Sequence, residues 1–291
     1  MKRSAFTLIE IIFAVLISAL LALGSFKAFE QLYIRSAKAK AFSTLSLQSQ
    51  IVLDQISQLL YNRIPNSVIG YDGLTCTPID ALGTGMNVLE WIATDDAQLL
   101  DGMYDGFVDM NASARPNLRA LHVKGGFNTT HRNLVFAGAF DAGGEELKAC
   151  SGAYGWHGND SNLSHAITAG VDQITFSALV PNEIYEKYYI ANGAYAVTRG
   201  EDVKNIGNCG LNESDFSDFD NTLFLFYNYY PYEGETYCGD GGAGNVAILA
   251  EHVSGFRATY INDAIRISID MNQSIKGSLS PVHVSKQKAV L

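Results

Sequence analysis

The four cysteines of this 291-residue chain form no CxxC pair. Cys76, Cys150, Cys209 and Cys238 lie far apart, which argues against a zinc ribbon or a thioredoxin-like motif. In an exported domain, an even number of scattered cysteines indicates two disulfides. Pairing nearest neighbours along the chain joins Cys76 to Cys150 and Cys209 to Cys238. Two other pairings stay open, and four buried free thiols are the alternative.

The sequence also lacks catalytic signatures. It has no HExxH and no GxSxG, and its six histidines are dispersed. His157 and His165 flank a polar stretch, which predicts histidines on a surface loop. Residues 238–245, CGDGGAGN, are rich in glycine but lack the lysine of a phosphate-binding loop. We therefore expect that the protein is not an enzyme.

Basic clusters are missing outside residues 27–40, and the formal net charge is −10. Because a nucleic-acid binder normally presents a basic patch, we predict no direct binding of nucleic acid. A hydrophobic content of 47% and a charged content of 17% exclude a disordered chain. The 27 glycines and the many aromatic residues favour a β-rich exported domain.

Acidic residues cluster in two loops without the spacing of an EF-hand. One loop contains Asp215, Asp218 and Asp220, and the other contains Asp105 and Asp109. Calcium takes clustered oxygen ligands of this kind. The sequence thus makes these aspartates weak candidates for calcium and points to no other cofactor.

Residues 6–26 are apolar almost without a break and would span about 32 Å as a helix, the thickness of a bilayer core. Lys2 and Arg3 precede the run, so its start is expected to stay in the cytoplasm. Glu10 interrupts it, although a carboxylate in lipid costs at least about 2.5 kcal/mol. Residues 22–24, ALG, offer an alternative: signal-peptidase cleavage that leaves a soluble chain starting at Ser25.

The helical pattern continues beyond the apolar run, because residues 25–62 contain no proline and no further glycine. Pro65 ends it, which predicts one helix over residues 7–62, about 84 Å long. The expected apolar stripe comprises Phe42, Leu45, Val52, Ile56 and Leu59, with Gln48, Ser49, Asp54, Gln55 and Gln58 on other faces. The basic residues of 27–40 then lie outside the membrane, against the positive-inside rule.

The N-terminal stretch KRSAFTLIEIIFAVLISALLALG resembles the leader and first helix of type IV pilins and type II secretion pseudopilins. The resemblance implies that a prepilin peptidase cuts between Ala5 and Phe6 and that Phe6 is then N-methylated. Glu10 would pair with the free amino group of a neighbouring Phe6 in a filament, rather than snorkel to the near interface. The family usually has glycine where this chain has Ala5.

The remaining sequence predicts an antiparallel head. Short strands are expected at 88–93, 118–123, 134–140 and 172–180, and hairpins around Asn192-Gly193 and Asn262-Asp263. The run from 174 to 271 resembles the C-terminal half of W-type minor pilins and J-type minor pseudopilins. The matching residues are Tyr188, Tyr189, Arg199, Leu249, Ala250, Val253 and Phe256.

The expected fold is α+β and pilin-like, with a long N-terminal helix packed on antiparallel sheet. Its predicted segments are a leader (1–5), a membrane-spanning half-helix (6–26), an exposed half-helix (27–64), a loop-rich part of the head (65–165) and a sheet part (166–291). The resemblance implies a single-pass protein of the bacterial cytoplasmic membrane, with the head outside.

The leading functional hypothesis is a minor pilin or minor pseudopilin that starts or caps a type IV pilus, a type II secretion filament or a DNA-uptake filament. Its partners would be other pilins or pseudopilins, the peptidase and the membrane. One alternative is a tip adhesin that presents residues 66–165, including Trp91 and Trp156, to a ligand. A second alternative is a secreted soluble enzyme.

Overall fold

The computed structural model describes residues 7–138, 149–203, 206–238 and 244–291. The chain is α+β, as predicted, with one long N-terminal helix followed by antiparallel strands. The helices are α1 (Leu8–Tyr61) and α2 (Asp96–Leu100). The strands are β1 (Ile69–Tyr71), β2 (Cys76–Pro78), β3 (Val88–Thr94), β4 (Asn117–Arg119), β5 (Asn133–Phe136), β6 (His165–Gly170), β7 (Gln173–Phe176), β8 (Tyr188–Arg199), β9 (Leu223–Tyr229), β10 (Asn245–Ala250), β11 (Val253–Ile261), β12 (Ala264–Gln273) and β13 (Val282–Val290).

The chain divides into two compact units. The first consists of Met1–Leu47 and Asn272–Val284, and the second of Gln48–Met271 and Ser285–Leu291. Helix α1 runs through both, because nothing between Thr7 and Tyr61 breaks it except a tolerated Gly24. The predicted helix over 7–62 is thus observed within one residue at each end.

The later half of α1 buries one face, which confirms Leu45, Val52 and Ile56 of the predicted stripe but not its other two members. Phe42 is exposed and Leu59 is only half buried, whereas Ser49 is fully buried. The buried side chains recur every three or four residues, as a helix face requires. They are Ala41, Leu45, Ser49, Val52, Leu53, Ile56, Ser57 and Leu60. The prediction missed Phe42, Leu59 and Ser49 because helical spacing alone does not show which apolar side chains the rest of the fold covers.

The ten-stranded antiparallel sheet is organised around β8. One edge of β8 pairs with β3. The other edge is shared, with β5 on its first residues and β9 on its last. The path of strands is β2-β1-β3-β8-β5-β6-β7-β4, and β10 joins through β9.

The predicted hairpin around Asn192-Gly193 is wrong, because β8 passes through both residues without turning. Against β3, Gly193 faces Ala93 and Ala191 faces Thr94, so Asn192 is an extra residue in the strand. Gly193 has a φ of 119°. The dipeptide that favours a turn therefore forms a β-bulge here, because pairing on both edges holds the strand extended.

The three-stranded sheet has the order β11-β12-β13. Its first two strands are joined by Asn262 and Asp263 alone, with φ values of 52° and 59°. A two-residue turn with both φ values positive is the favoured hairpin connection, so the second predicted hairpin is confirmed. Along β12, Ile265, Ile267 and Ile269 are buried at every second position, which marks the face on the core.

The strands predicted in the loop-rich part form, though mostly shorter. The segment at 88–93 becomes β3 and the one at 118–123 only β4, while the strand predicted at 172–180, in the sheet part, becomes only β7. The segment at 134–140 becomes β5, and its last two residues lie outside the described part of the chain.

Candidate functional site

The first turn of α1 carries one half of a capping box, the bond from the Thr7 amide to the Glu10 side chain. The amide nitrogen and the hydroxyl of Thr7 each donate to Glu10 Oε2, at 2.9 Å. The Thr7 carbonyl accepts from the amides of Glu10 and Ile11. The Glu10 carboxylate thereby satisfies the amide of Thr7, one of the amides that a helix start leaves without partners, while the Thr7 hydroxyl acts as a second donor to the same oxygen. Thr7 thus fixes the Glu10 carboxylate at the helix start.

Glu10 keeps one carboxylate oxygen open. Both Thr7 bonds go to Oε2, and Oε1 has no hydrogen-bond partner in the part of the chain that the structure describes. A shallow groove runs along the helix beside it, lined by the small side chains of Ala14, Ser18 and Ala19 and by the larger ones of Ile11 and Val15. The carboxylate is therefore oriented from one side and accessible from the other.

The apolar half of α1 is bare. An 18-residue window near the N-terminus has a mean hydropathy of 2.4, and none of it is buried. Leu8, Phe13 and Leu21 are each more than half exposed. The helix is thus long and apolar enough to span a membrane. Ala5 and Phe6, the predicted cleavage site, lie outside the described residues, as does most of the glycine-rich segment 238–245.

The four cysteines are paired within the head. Cys76 bonds to Cys150, with Cα atoms 5.6 Å apart, and Cys209 bonds to Cys238, with Cα atoms 4.7 Å apart. These are the nearest-neighbour pairs, one of the three pairings that the sequence left open. The first bond joins β2 to the short helical turn before β6.

The calcium candidates do not converge. In the described ranges, no group of three or more histidine, cysteine or acidic side chains is placed to hold a metal ion. The Asp218 carboxylate accepts from the Asn221 amide at 2.9 Å. Asp105 and Asp109 accept from backbone amides two and three residues ahead. Such side chains shape turns. Asp215 ends a single helical turn, and Asp220 uses its carbonyl to pair with Glu201.

His157 is not a surface histidine, contrary to the prediction. Its side chain is 14% exposed, stacks on Tyr71 at 3.7 Å between ring centres, and places Nε2 2.8 Å from Glu90 Oε1. Burial opposes the charged form, but the charge and hydrogen bond of Glu90 outweigh it and raise the pKa of His157. The polar sequence around His157 gives no indication of its burial, because Tyr71 and Glu90 belong to strands that are distant in the sequence.

The carboxylate of Glu90 joins three segments. Glu90 is fully buried in β3, and its Oε2 accepts from the Tyr229 hydroxyl of β9 at 2.7 Å. His157 brings in the segment before β6. A buried carboxylate with two partners crosslinks the fold. His157 and Tyr229 lie 67 and 139 positions from Glu90 in the sequence, so sequence analysis could not find the cluster.

His165 is also buried rather than on a surface loop. Its Nδ1 lies 3.2 Å from the Leu179 carbonyl. Burial lowers its pKa, although that hydrogen bond acts in the opposite direction. Trp91 and Trp156 are buried too, at 0% and 1% exposure, so neither indole presents a surface for a ligand. The observation that motivated a tip adhesin therefore does not hold for these two residues.

Comparison with protein-family models, with curated proteins and with solved structures finds no match to this chain.

Proposed function

We propose that this chain is a minor pilin or minor pseudopilin, a structural subunit that starts or caps a filament of the pilus, secretion or DNA-uptake type. Residues 6–26 would anchor it in the bacterial cytoplasmic membrane, with the head on the outer side. A prepilin peptidase would cut between Ala5 and Phe6, and methylation of Phe6 would follow. Other pilins or pseudopilins would be its partners, and it would catalyse no reaction.

One observation carries the proposal: no described residue of the chain covers the apolar half of α1, yet this half begins with an oriented carboxylate. An anchor that only holds a domain in lipid gains nothing from Glu10, because the charge opposes insertion. Assembly gives the residue a use. The α-amino group of a neighbour's Phe6 would approach the open Oε1, while Thr7 holds Oε2.

The groove next to Glu10 supports the same geometry. Small side chains at Ala14 and Ser18 let a second helix approach closely. In a membrane, helices associate through such small residues and through polar contacts. The size of the head, which fills most of the chain after residue 65, supports a minor rather than a major subunit, since a bulky head packs poorly at every position of a filament.

The decisive experiment is the N-terminus of the chain purified from membranes, read by mass spectrometry. We expect a chain that begins at N-methylated Phe6. A chain that begins at Ser25 would instead indicate a secreted soluble protein. An uncut Met1, in cells where other pilin-like proteins are processed, would contradict the proposal as well.

A further inference from the structure

The first compact unit carries charge of the opposite sign to the whole chain. In Met1–Leu47 and Asn272–Val284 beyond residue 26, the only acidic residue is Glu30. The basic side chains there, the basic collar, are Lys27, Arg35, Lys38, Lys40 and Lys276. Within the described ranges, no member of the collar forms an ion pair. A positive surface thus remains uncompensated in a chain of net charge −10.

The loop 274–281 completes the collar. Lys38 Nζ donates to Ser280 Oγ at 3.4 Å. Ile34 Cδ1 lies 3.5 Å from the point where a side chain on Gly277 would begin. The loop therefore packs on the face of α1 that contains Ile34 and Lys38, and it places Lys276 beside the helix.

The loop has a defined shape. The Ser278 amide donates to the Ile275 carbonyl at 2.9 Å, and the Ser278 hydroxyl donates to the Ser280 carbonyl at 2.8 Å. Gly277 takes the positive φ of 84° that this turn needs. Leu279 projects from the turn with its side chain fully exposed. An apolar tip beside lysines is the composition of segments that lie at a membrane surface.

When residues 6–26 cross the bilayer, Lys27 lies at headgroup depth and the loop that packs against Ile34 lies just outside the headgroup layer. Ile34 is eight residues past residue 26, about 12 Å along the helix. The headgroup layer accounts for about 5–7 Å on each side. Phe29 and Tyr33 are exposed between these points, and aromatic rings favour the membrane interface. The loop is then within the Debye length of about 8 Å over which a charged membrane surface acts.

We propose that the basic collar and Leu279 bind anionic phospholipid headgroups on the outer face of the membrane that α1 crosses. The inference rests on the membrane anchor of the proposed function. Lysine and arginine are attracted to an anionic lipid surface, and Leu279 adds apolar contact. The interaction gives a role to basic residues that the positive-inside rule disfavours on this side. It would seat the subunit against the bilayer before assembly.

The test uses the full chain in nanodiscs of phosphatidylcholine alone or mixed with phosphatidylglycerol. A fluorophore is attached through Leu279→Cys; the four native cysteines are disulfide-bonded. Headgroup-spin-labelled lipid then quenches the fluorophore where the loop touches the surface. We expect stronger quenching in the mixture, and less of it as salt rises. Equal quenching in both lipids would overturn the proposal.

Charge variants identify the residues responsible. Lys276→Ser is expected to lower the ratio of bound to free loop about fivefold. Lys124→Ser changes the net charge equally but lies in the other compact unit, and we expect no effect. Equal effects of the two variants would overturn the proposal, as would quenching that depends on an added second subunit rather than on lipid. If the chain stays in the disc but position 279 makes no contact with lipid, the result contradicts only the proposal that the basic collar binds lipid. A chain released from the disc contradicts the membrane anchor as well.

Discussion

Glu10 and Glu90 both stand in strongly apolar stretches of the chain, LIEII and VLEWI. Glu90 is fully buried, and it bonds to His157 and to Tyr229 from distant parts of the sequence. Glu10 is exposed, and its only described partner is Thr7, three residues away. The head thus satisfies its buried carboxylate by itself. Under the proposed function, Glu10 would obtain its second partner from another molecule.

The largest expected effect concerns Glu10. In the proposed filament, Glu10→Ala would leave the amino group of a neighbour's Phe6 without its partner, so we expect it to lower incorporation into filaments roughly hundredfold. Membrane insertion, measured by resistance to alkaline extraction, should stay intact because the helix only loses a charge.

The control for capping is Glu10→Gln, which keeps an acceptor for Thr7 but carries no charge. We expect it to fail in assembly as Glu10→Ala does. Normal incorporation of Glu10→Gln would show that the glutamate only caps its own helix. Glu10 would then need no partner from another molecule, and the proposed contrast with Glu90 would be wrong.

The second effect concerns Glu90. Glu90→Ala leaves Tyr229 and His157 without their buried acceptor and should lower the free energy of unfolding by about 3–5 kcal/mol. Denaturant unfolding of the full chain in detergent measures it. Glu233→Ala is the matched variant, because Glu233 pairs with His131 at the surface, 2.7 Å apart. An exposed pair contributes about 0–1 kcal/mol. Similar losses in both variants would contradict the crosslinking role of Glu90.

The smallest effect is a pH dependence that His157 imposes on the head. Its pKa in the folded chain is raised by Glu90 above the ordinary value. A group with a raised pKa stabilises the fold fully below about pH 6.5, and this stabilisation is lost as pH rises through the folded pKa. The midpoint of thermal unfolding should therefore decrease as the pH rises through the folded pKa of His157. His157→Gln should flatten the curve. An unchanged slope in His157→Gln would assign the dependence to another group.

Local features were predictable from the sequence, and features set by distant contacts were not. The extent of α1 follows from an unbroken run of helix formers that ends before Pro65, and the Asn262-Asp263 hairpin follows from a two-residue turn. Asn192-Gly193 carries the same kind of signal, yet pairing on both edges of β8 overrides it. Contacts with residues distant in the sequence also explain the burial of His157 and Trp156. The polar and glycine-rich neighbours of these two residues predicted a surface loop.

Glu10 and Thr7 are the part of the candidate site that the sequence makes predictable. Glu10 is visible as the only charge in an apolar run, and Thr7 could have been found from the T-x-x-E spacing of a capping box. The nearest-neighbour disulfides were one of three open pairings, since spacing does not decide which cysteines meet. Glu90 was inside a predicted strand, but no neighbouring residue in the sequence indicates that its side chain contacts His157 or Tyr229.

The place of β8 in the sheet has a consequence for the order in which the chain folds. Leu89 of β3 pairs with Val197, and Leu134 of β5 pairs with Ile190, so both strands depend on a partner synthesised much later. Pairings so distant in sequence form slowly, because a long loop has to close before any contact rewards it. While the ribosome makes residues 95–187, β3 can pair with β1 on one edge but has no partner on the other, and β5 can pair with β6 but not yet with β8. The ten-stranded sheet is thus expected to be completed late, with one edge of β3 and one edge of β5 unpaired until β8 has been synthesised.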